Sequence, residues 1–426
     1  MSREMRHSGI EWIGEIPKEW KVTLSKRLFT IVAGATPKTD NVEMWDGDIT
    51  WITPADYKTE DKYVMSGRRN LSEKGKKSCA TYLLPCNTIV FSKRAPIGLV
   101  AITAKELCTN QGCLGCIPNG QLIVLFYYYA MSAFTEQFEL LGTGTTFKEI
   151  SATKFANFPL PFPPLSEQQK IANYLDKVCG EVDEMIALQE QMIEEMKAYK
   201  QSVITEAVTK GLNPDVPMKD SGVDWIGEVP EGWKVSRLKY YSNFINGFAF
   251  NSDVFSLEIG CKVIRIGDIS QSLDFDGCVR ANIKTDTLQS YRIKNNDIII
   301  AMSGATTGKC CIAKDVEEAY INQRVGIIRC DNYSYVYYSL QTDYFMEYIN
   351  LNNAGSAQPN VSGTSIGNFP LLVPSLDEQQ SIASYLDTKC SEIDALIAIK
   401  QAKIEELKDY KKSVIYEYVT GKKEVV

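Results

Sequence analysis

The 426 residues are enough for about two to four domains, and a composition of 44% hydrophobic and 23% charged residues excludes disorder as the default state. The net charge of −7 argues against a generic basic nucleic-acid binder, and the single histidine, His7, excludes a Ser-His-Asp triad, a Cys-His pair or a histidine-rich metal site. The twelve cysteines are spread along a long chain, which fits reduced thiols, and the lone Cys113-Leu-Gly-Cys116 lacks the second pair of a structural zinc site, so no metal is expected.

The N-terminus, MSREMRHSGI, carries no apolar signal region. Residues 5–22 read MRHSGIEWIGEIPKEWKV and return at 218–235 as MKDSGVDWIGEVPEGWKV, identical at 11 of 18 positions. Behind this prologue, the β-branched and aromatic runs Asp48–Ile52 and Thr88–Phe91 predict strands. The stretch Leu122–Phe138 predicts a helix, and its longest apolar run is well short of the roughly 20 residues of a bilayer span. Basic residues gather at Arg68, Arg69, Lys74, Lys76 and Lys77 and at Lys93-Arg94.

After a proline-rich stretch, Ser166-Glu-Gln-Gln169 has the capping-box pattern, with Ser166 as N-cap. Ile171, Leu175, Val178, Val182, Met185, Met192, Met196, Tyr199 and Val203 then form a heptad seam, predicting a helix of about 40 residues, or about 60 Å. The second half follows the same plan. Lys262–Ile266 and Asp297–Ile300 predict strands and Ser334–Asn350 a helix. Gly304–Lys309 looks like a phosphate loop, but only three residues separate its glycines and Cys310 stands where Ser or Thr must reach magnesium. Asp377-Glu-Gln-Gln380 opens a second long helix, with Ile382, Leu386, Ile393, Leu396, Leu407, Tyr410 and Val414 on the same frame.

Residues 158–211 match 369–422 at 30 of 54 positions, whereas 23–140 and 236–350 share only scraps. One scrap is Asn110-Gln111, which recurs as Asn322-Gln323; another is Ala95–Gly98, loosely repeated as Ala305–Gly308. Uniform drift would not leave one block over half identical beside a neighbour near background. The constant blocks do one job twice, and the variable blocks do two different jobs of one kind. The expected fold class is α+β with an internal pseudo-two-fold repeat, the variable domains built on a curved or partly closed sheet. The two helices are expected to pair antiparallel, because each variable domain must return the chain to the start of the next unit. The expected divisions are 1–164, 165–211, 212–375 and 376–426.

These features resemble the DNA specificity (S) subunit of type I restriction-modification systems, the HsdS family. The resemblance spans essentially the whole chain. It rests on the duplicated W-I-G-E-[IV]-P-x-x-W, Trp12–Trp20 and Trp225–Trp233, and the duplicated P-L-x-x-P-x-L-x-E-Q-Q-x-I-A-x-Y-L-D, Pro159–Asp176 and Pro370–Asp387. It implies two α/β target-recognition domains separated by two long antiparallel coiled-coil helices. Each domain would read half of a bipartite, gapped site in double-stranded DNA. The helices would set the spacer and dock two methyltransferase (M) subunits, which restriction/translocase (R) subunits join. The resemblance implies no chemistry or cofactor in this chain, with S-adenosylmethionine, ATP and magnesium on the partner subunits and adenine as the methylated base. It also implies a prokaryotic cytosolic location and no membrane.

Phosphate contacts usually outnumber base contacts, so basic loop residues lead the candidates. They are Arg68, Arg69, Lys76, Lys77, Lys93, Arg94 and Lys148 in the first domain, and Arg265, Arg292, Lys309 and Arg324 in the second. Gln358 and Asn360 join them because amides pair bidentately with adenine. The residues expected in helix pairing and subunit docking are Ile171, Leu175, Val182, Met196, Tyr199, Ile382, Leu386, Ile393, Leu407 and Tyr410. The competing reading, favoured by the acidic net charge, is a coiled-coil scaffold whose globular domains bind proteins without reading DNA. An enzyme acting alone and an alternate or orphan S subunit stay open as well.

Overall fold

A computed structural model of the chain describes residues 3–59, 61–144, 148–224, 226–256, 258–270, 272–352 and 360–425. It divides into two compact units, one formed by Met1–Gln189 with Ala402–Val426 and the other by Glu190–Gln401.

The first unit holds strands β1 (Phe29–Ala33), β2 (Trp45–Ile52), β3 (Tyr63–Val64), β4 (Arg69–Leu71), β5 (Ile89–Ser92), β6 (Val100–Thr103), β7 (Cys108–Thr109) and β8 (Cys113–Pro118). They form one sheet in the order β1-β8-β5-β6-β3 and a second in the order β7-β2-β4. Helices α1 (Val124–Ala133) and α2 (Thr135–Leu141) follow, then the long α3 (Leu165–Lys210). The second unit holds β9 (Asn243–Asn246), β10 (Phe255–Ser256), β11 (Cys261–Ile264), β12 (Val279–Ala281), β13 (Ile298–Ala301), β14 (Cys310–Ile312), β15 (Ala319–Ile321) and β16 (Val325–Arg329). Their sheets run β9-β16-β13-β14 and β10-β12-β11-β15. Helices α4 (Tyr333–Ser339), α5 (Asp343–Asn352) and the long α6 (Leu376–Val419) complete the chain.

The two variable domains therefore share a topology that their sequences hide. β1-β8-β5-β6 matches β9-β16-β13-β14, and β7-β2-β4 matches β15-β11-β12, with β7 parallel to β2 and β15 parallel to β11. Strands of two to eight residues with mixed patterning hold too little periodicity for their pairing order to be read from sequence. The expected helix over Leu122–Phe138 is two, breaking at Phe134, and that over Ser334–Asn350 is also two. Cys113 and Cys116 pack into different apolar clusters on opposite faces of β8, so their sulfurs do not converge on one ion.

The constant segments meet one another in space. Lys21–Leu24 pairs antiparallel with Pro159–Phe162, and Lys234–Arg237 pairs likewise with Pro370–Val373. The Trp20 indole N–H donates to Glu167 Oε2 at 2.7 Å, and the Trp233 indole to Glu378 Oε2 at 3.0 Å. Gln168 and Gln379 donate to the carbonyls of Pro163 and Pro374, at 2.9 and 3.0 Å. This corrects the capping expectation. The helices begin at Leu165 and Leu376, so Ser166 and Asp377 lie inside the first turn. The Glu and Gln side chains anchor the tryptophan motif and the proline entry segment.

The helix ends close the arrangement. Gly211 and Gly421 take the left-handed conformation past the ends of α3 and α6, with φ of 76° and 71°. A Cβ on Gly421 would lie 2.4 Å from Pro17 and 3.1 Å from the Trp20 ring, and one on Gly211 3.2 Å from the Trp233 ring.

Within each unit the helices pair antiparallel. Lys411 Nζ donates to Asp183 at 2.6 Å in the first unit, and Lys200 Nζ to Asp394 at 2.7 Å in the second. The two pairs are related by the repeat, since each residue of one recurs 211 positions on in the other. The seam differs from the expected one by one residue. Leu175, Val182, Leu386 and Leu407 are buried as expected, and so are Ile171, Ile382 and Ile393, while Met196 is half-buried. The alternate positions are Cys179, Ile193, Cys390 and Ile404 in place of Val178, Met192 and their repeats. Tyr199 and Tyr410 accordingly face outward, 61% and 52% exposed. The reason is that each helix also packs on a domain core. Ile171, Ala172, Leu175 and Cys179 join the core of the first unit, and Val203, Ile204, Ala207 and Val208 that of the second, which sets the rotation of the helix.

Candidate nucleic-acid interface

In each unit the loops leaving the C-terminal ends of four strands converge on one face. In the first unit they leave β1, β2, β5 and β7. The Asn110 N–H donates to the Ile52 carbonyl at 2.9 Å, that of Ala35 to Thr109 at 2.9 Å, and that of Lys93 to Gly112 at 2.9 Å. A Cβ on Gly34 would come within 2.2 Å of the Asn110 carbonyl oxygen, so glycine is required where these loops cross. Thr53 and Asp56 form a capping box at the end of β2.

The second unit builds the same crossing. The Asn322 N–H donates to the Ile264 carbonyl at 3.0 Å, that of Phe248 to Ile321 at 3.0 Å, and that of Met302 to Arg324 at 2.9 Å. A Cβ on Gly247 would lie 1.9 Å from the Asn322 carbonyl oxygen. Asp268 accepts from the Arg265 N–H at 2.8 Å, the counterpart of Asp56 and Thr53. Burial raises the Asp268 carboxyl, while that backbone bond and the Arg265 charge oppose the rise.

Many of the sequence candidates meet on these faces. Arg68 is exposed and donates to the Ala55 carbonyl at 3.3 Å. Arg69 pairs with Trp51 at the end of β2 and lies 3.8 Å over the Trp45 ring. Lys93 and Arg94 both reach Glu149, each at 2.8 Å, and exposed Lys148 adjoins that cluster. The hydrogen bond from Lys93 leads in holding the Glu149 carboxyl below the usual range, opposed by burial and aided by Arg94. In the second unit Arg265, Lys309, Arg324 and Asn360 are all exposed, with Asn360 bridged to Ser303.

Three candidates lie elsewhere. Lys76 and Lys77 sit on the short helix Glu73–Ser78, against Met44 at the opposite end of β2. Arg292 is at the opposite end of β13, where its carbonyl accepts from Arg329 at 3.1 Å. Gln358, like Trp225, lies outside the described residues. The Gly304–Lys309 segment is the turn of the β13–β14 hairpin, with Thr307 Oγ1 donating to the Gly304 carbonyl at 2.7 Å. The sequence reading missed Gln111 and Gln323, which are exposed on the turns at the centre of each face. The signal was present in the Asn-Gln pair that survives between otherwise divergent blocks.

Comparison with known proteins places the chain. Residues 17–198 and 230–409 each match the family model described as the type I restriction modification DNA specificity domain. The chain is 34% identical over 238 residues to the type I restriction enzyme MjaIX specificity subunit of Methanocaldococcus jannaschii, covering 53% of this chain and about half (52%) of that protein's length. The putative MjaX specificity subunit of the same organism is 25% identical, covering 96% of this chain and 95% of that protein. Among solved structures, a chain from work on complex assembly and conformational transition of the type I R-M system superposes with a TM-score of 0.72 at 16% identity, covering 95% of this chain and 98% of that one. The HsdS subunit from Thermoanaerobacter tengcongensis gives a TM-score of 0.51, also at 16% identity, covering 95% of this chain and 98% of that one. With both halves matching one model and the fold shared end to end, the chain belongs to the type I restriction-modification DNA specificity family.

Proposed function

We propose that this chain is the DNA-reading subunit of a type I restriction-modification complex. Each unit reads one half of a bipartite, gapped site in double-stranded DNA. The two long helices, each contributing residues to both units, set the spacer and dock methyltransferase and restriction subunits. Methyl transfer to adenine, cleavage and the cofactors they need belong to those partners.

The observation that carries this reading is one frame with two different faces. Arg265 stands where the first unit has Thr53, Arg324 where it has Gly112, and Met302-Ser303 where it has Lys93-Arg94. A shared crossing with exchanged side chains suits two readers of different base sequences. Docking draws support from the outward faces of the helices, where Met185, Leu188, Tyr199, Leu396, Ile399 and Tyr410 are exposed.

The test is a map of methylated adenines in cells with and without the gene. Loss of one bipartite, gapped motif on deletion is the expected result and gives both half-sites. An unchanged map with the gene expressed overturns the reading and leaves the protein scaffold.

A further inference from the structure

The two faces differ at nearly every exposed position, yet both keep Asn-Gln at the crest of the central turn. The asparagines have a local task. Asn110 and Asn322 accept, through their carbonyls, from Cys113 and Val325 at 3.1 and 2.8 Å. Their side-chain oxygens accept from the Gly112 and Gln323 N–H groups at 2.9 and 2.8 Å. Asparagine at this position is therefore explained by the turn.

The glutamines have no such task in common. Both are exposed at the second position of the turn. Thr36 Oγ1 donates to Gln111 Oε1, but the residue corresponding to Thr36 in the second unit is Ala249, which offers no hydroxyl. The fold of the turn therefore does not account for glutamine at both places. A side chain kept by two readers of different sequences faces what their targets share, and that is the sugar–phosphate backbone.

We infer that Gln111 and Gln323 are the backbone grip common to both half-sites, each amide donating to a phosphate oxygen at the equivalent place on its duplex. The exchanged neighbours, Thr53 in the first unit against Arg265 in the second, and Arg324 where the first unit has only Gly112, carry the choice of base. The Thr36 hydroxyl, by engaging Oε1, leaves the Gln111 NH2 to point its two donors at DNA. This inference rests on the DNA-reading function proposed above.

The experiment uses the full chain assembled with its methyltransferase partner. The probes are a duplex carrying the mapped motif and duplexes altered one base at a time in each half-site. Gln323→Ala is expected to weaken binding about tenfold, the effect of losing one hydrogen bond to a charged group. The loss is the same factor on cognate and altered duplexes, and the methylated motif keeps its sequence. The amide is neutral and displaces no counterion, so the salt dependence stays unchanged. Gln323→Glu sets a carboxylate against the phosphate and weakens binding further. Gln111→Ala repeats the result for the first half-site. Thermal unfolding of all three variants matches the parent, as suits exposed side chains.

Two results overturn the inference while leaving the DNA-reading function standing. One is unchanged affinity in all three variants. The other is a motif relaxed at a single base of the matching half-site, which makes the glutamine a base reader. If the unaltered complex shows no preference among the duplexes, the DNA-reading function itself fails and the inference falls with it.

Discussion

At the scale of single residues, three cations of the first unit's face are already committed. Lys93 and Arg94 share Glu149, and Arg68 lies 3.7 Å from Asp56. A cation neutralised by a neighbouring carboxylate releases fewer counterions on meeting a phosphate. Glu149→Gln is therefore expected to tighten DNA binding by the assembled complex. It should also steepen log K against log salt by up to about 0.9 per freed cation. An unchanged slope in a salt titration would mean that neither cation reaches the backbone. Acid should mimic the substitution only late. Because Lys93 holds the Glu149 carboxyl below its usual range, the ion pairs persist through that range and are lost as pH falls through the depressed value.

At the scale of elements, the long helices show how far sequence periodicity carries. Their existence, length class and antiparallel pairing were legible from two matching heptad runs. The rotation was not, because positions 175, 182, 196 and 203 serve a step of three-then-four and a step of four-then-three equally well. The choice fell to domain cores whose residues lie far away in sequence. The Trp20–Glu167 and Trp233–Glu378 links are not legible from periodicity, although both partners lie in duplicated motifs. Two motifs duplicated together are candidates to touch. The loops proposed to face DNA are legible in part as basic stretches, but not as one face, because only the strand order brings residues 53, 93 and 111 together.

The seam carries Lys200 and Lys411 among apolar neighbours, each bound to an aspartate of the other helix. The Lys200–Asp394 side chains are 25% and 44% exposed, a setting in which an ion pair contributes about 0.2–1 kcal/mol. Lys200→Asp is expected to lower the stability of the second unit, and adding Asp394→Lys to restore part of it. A double-mutant cycle from denaturant unfolding should return a coupling of that size. Zero coupling would mean that the two side chains do not hold one another in solution.

At the scale of the whole molecule, charge sets the behaviour in solution. Residues 165–211 carry 5 basic and 9 acidic side chains and residues 376–426 carry 8 and 10, so the helices add −4 and −2 to a chain of −7. Residues 1–164 come to +3 and residues 212–375 to −4. Such a chain is expected to bind DNA weakly by itself, with a strong salt dependence, and to gain affinity when methyltransferase subunits complete the phosphate clamp. Titrating the isolated chain against duplex at several salt concentrations checks this. Tight binding that salt does not weaken would contradict it.

The division of the chain between its units also governs the order in which they can be born. Everything the second unit needs has been synthesised by residue 401, whereas the first, begun earlier, waits for residues 402–426. Until then Trp12 lacks Tyr416, whose hydroxyl donates to its carbonyl at 2.8 Å, and Tyr174 lacks the ring of Tyr418 at 4.5 Å. On the ribosome, the domain that emerges first is thus the one finished last. Its apolar floor stays open to solvent while the 212 residues of the second unit pass, an interval in which a chaperone has most to protect.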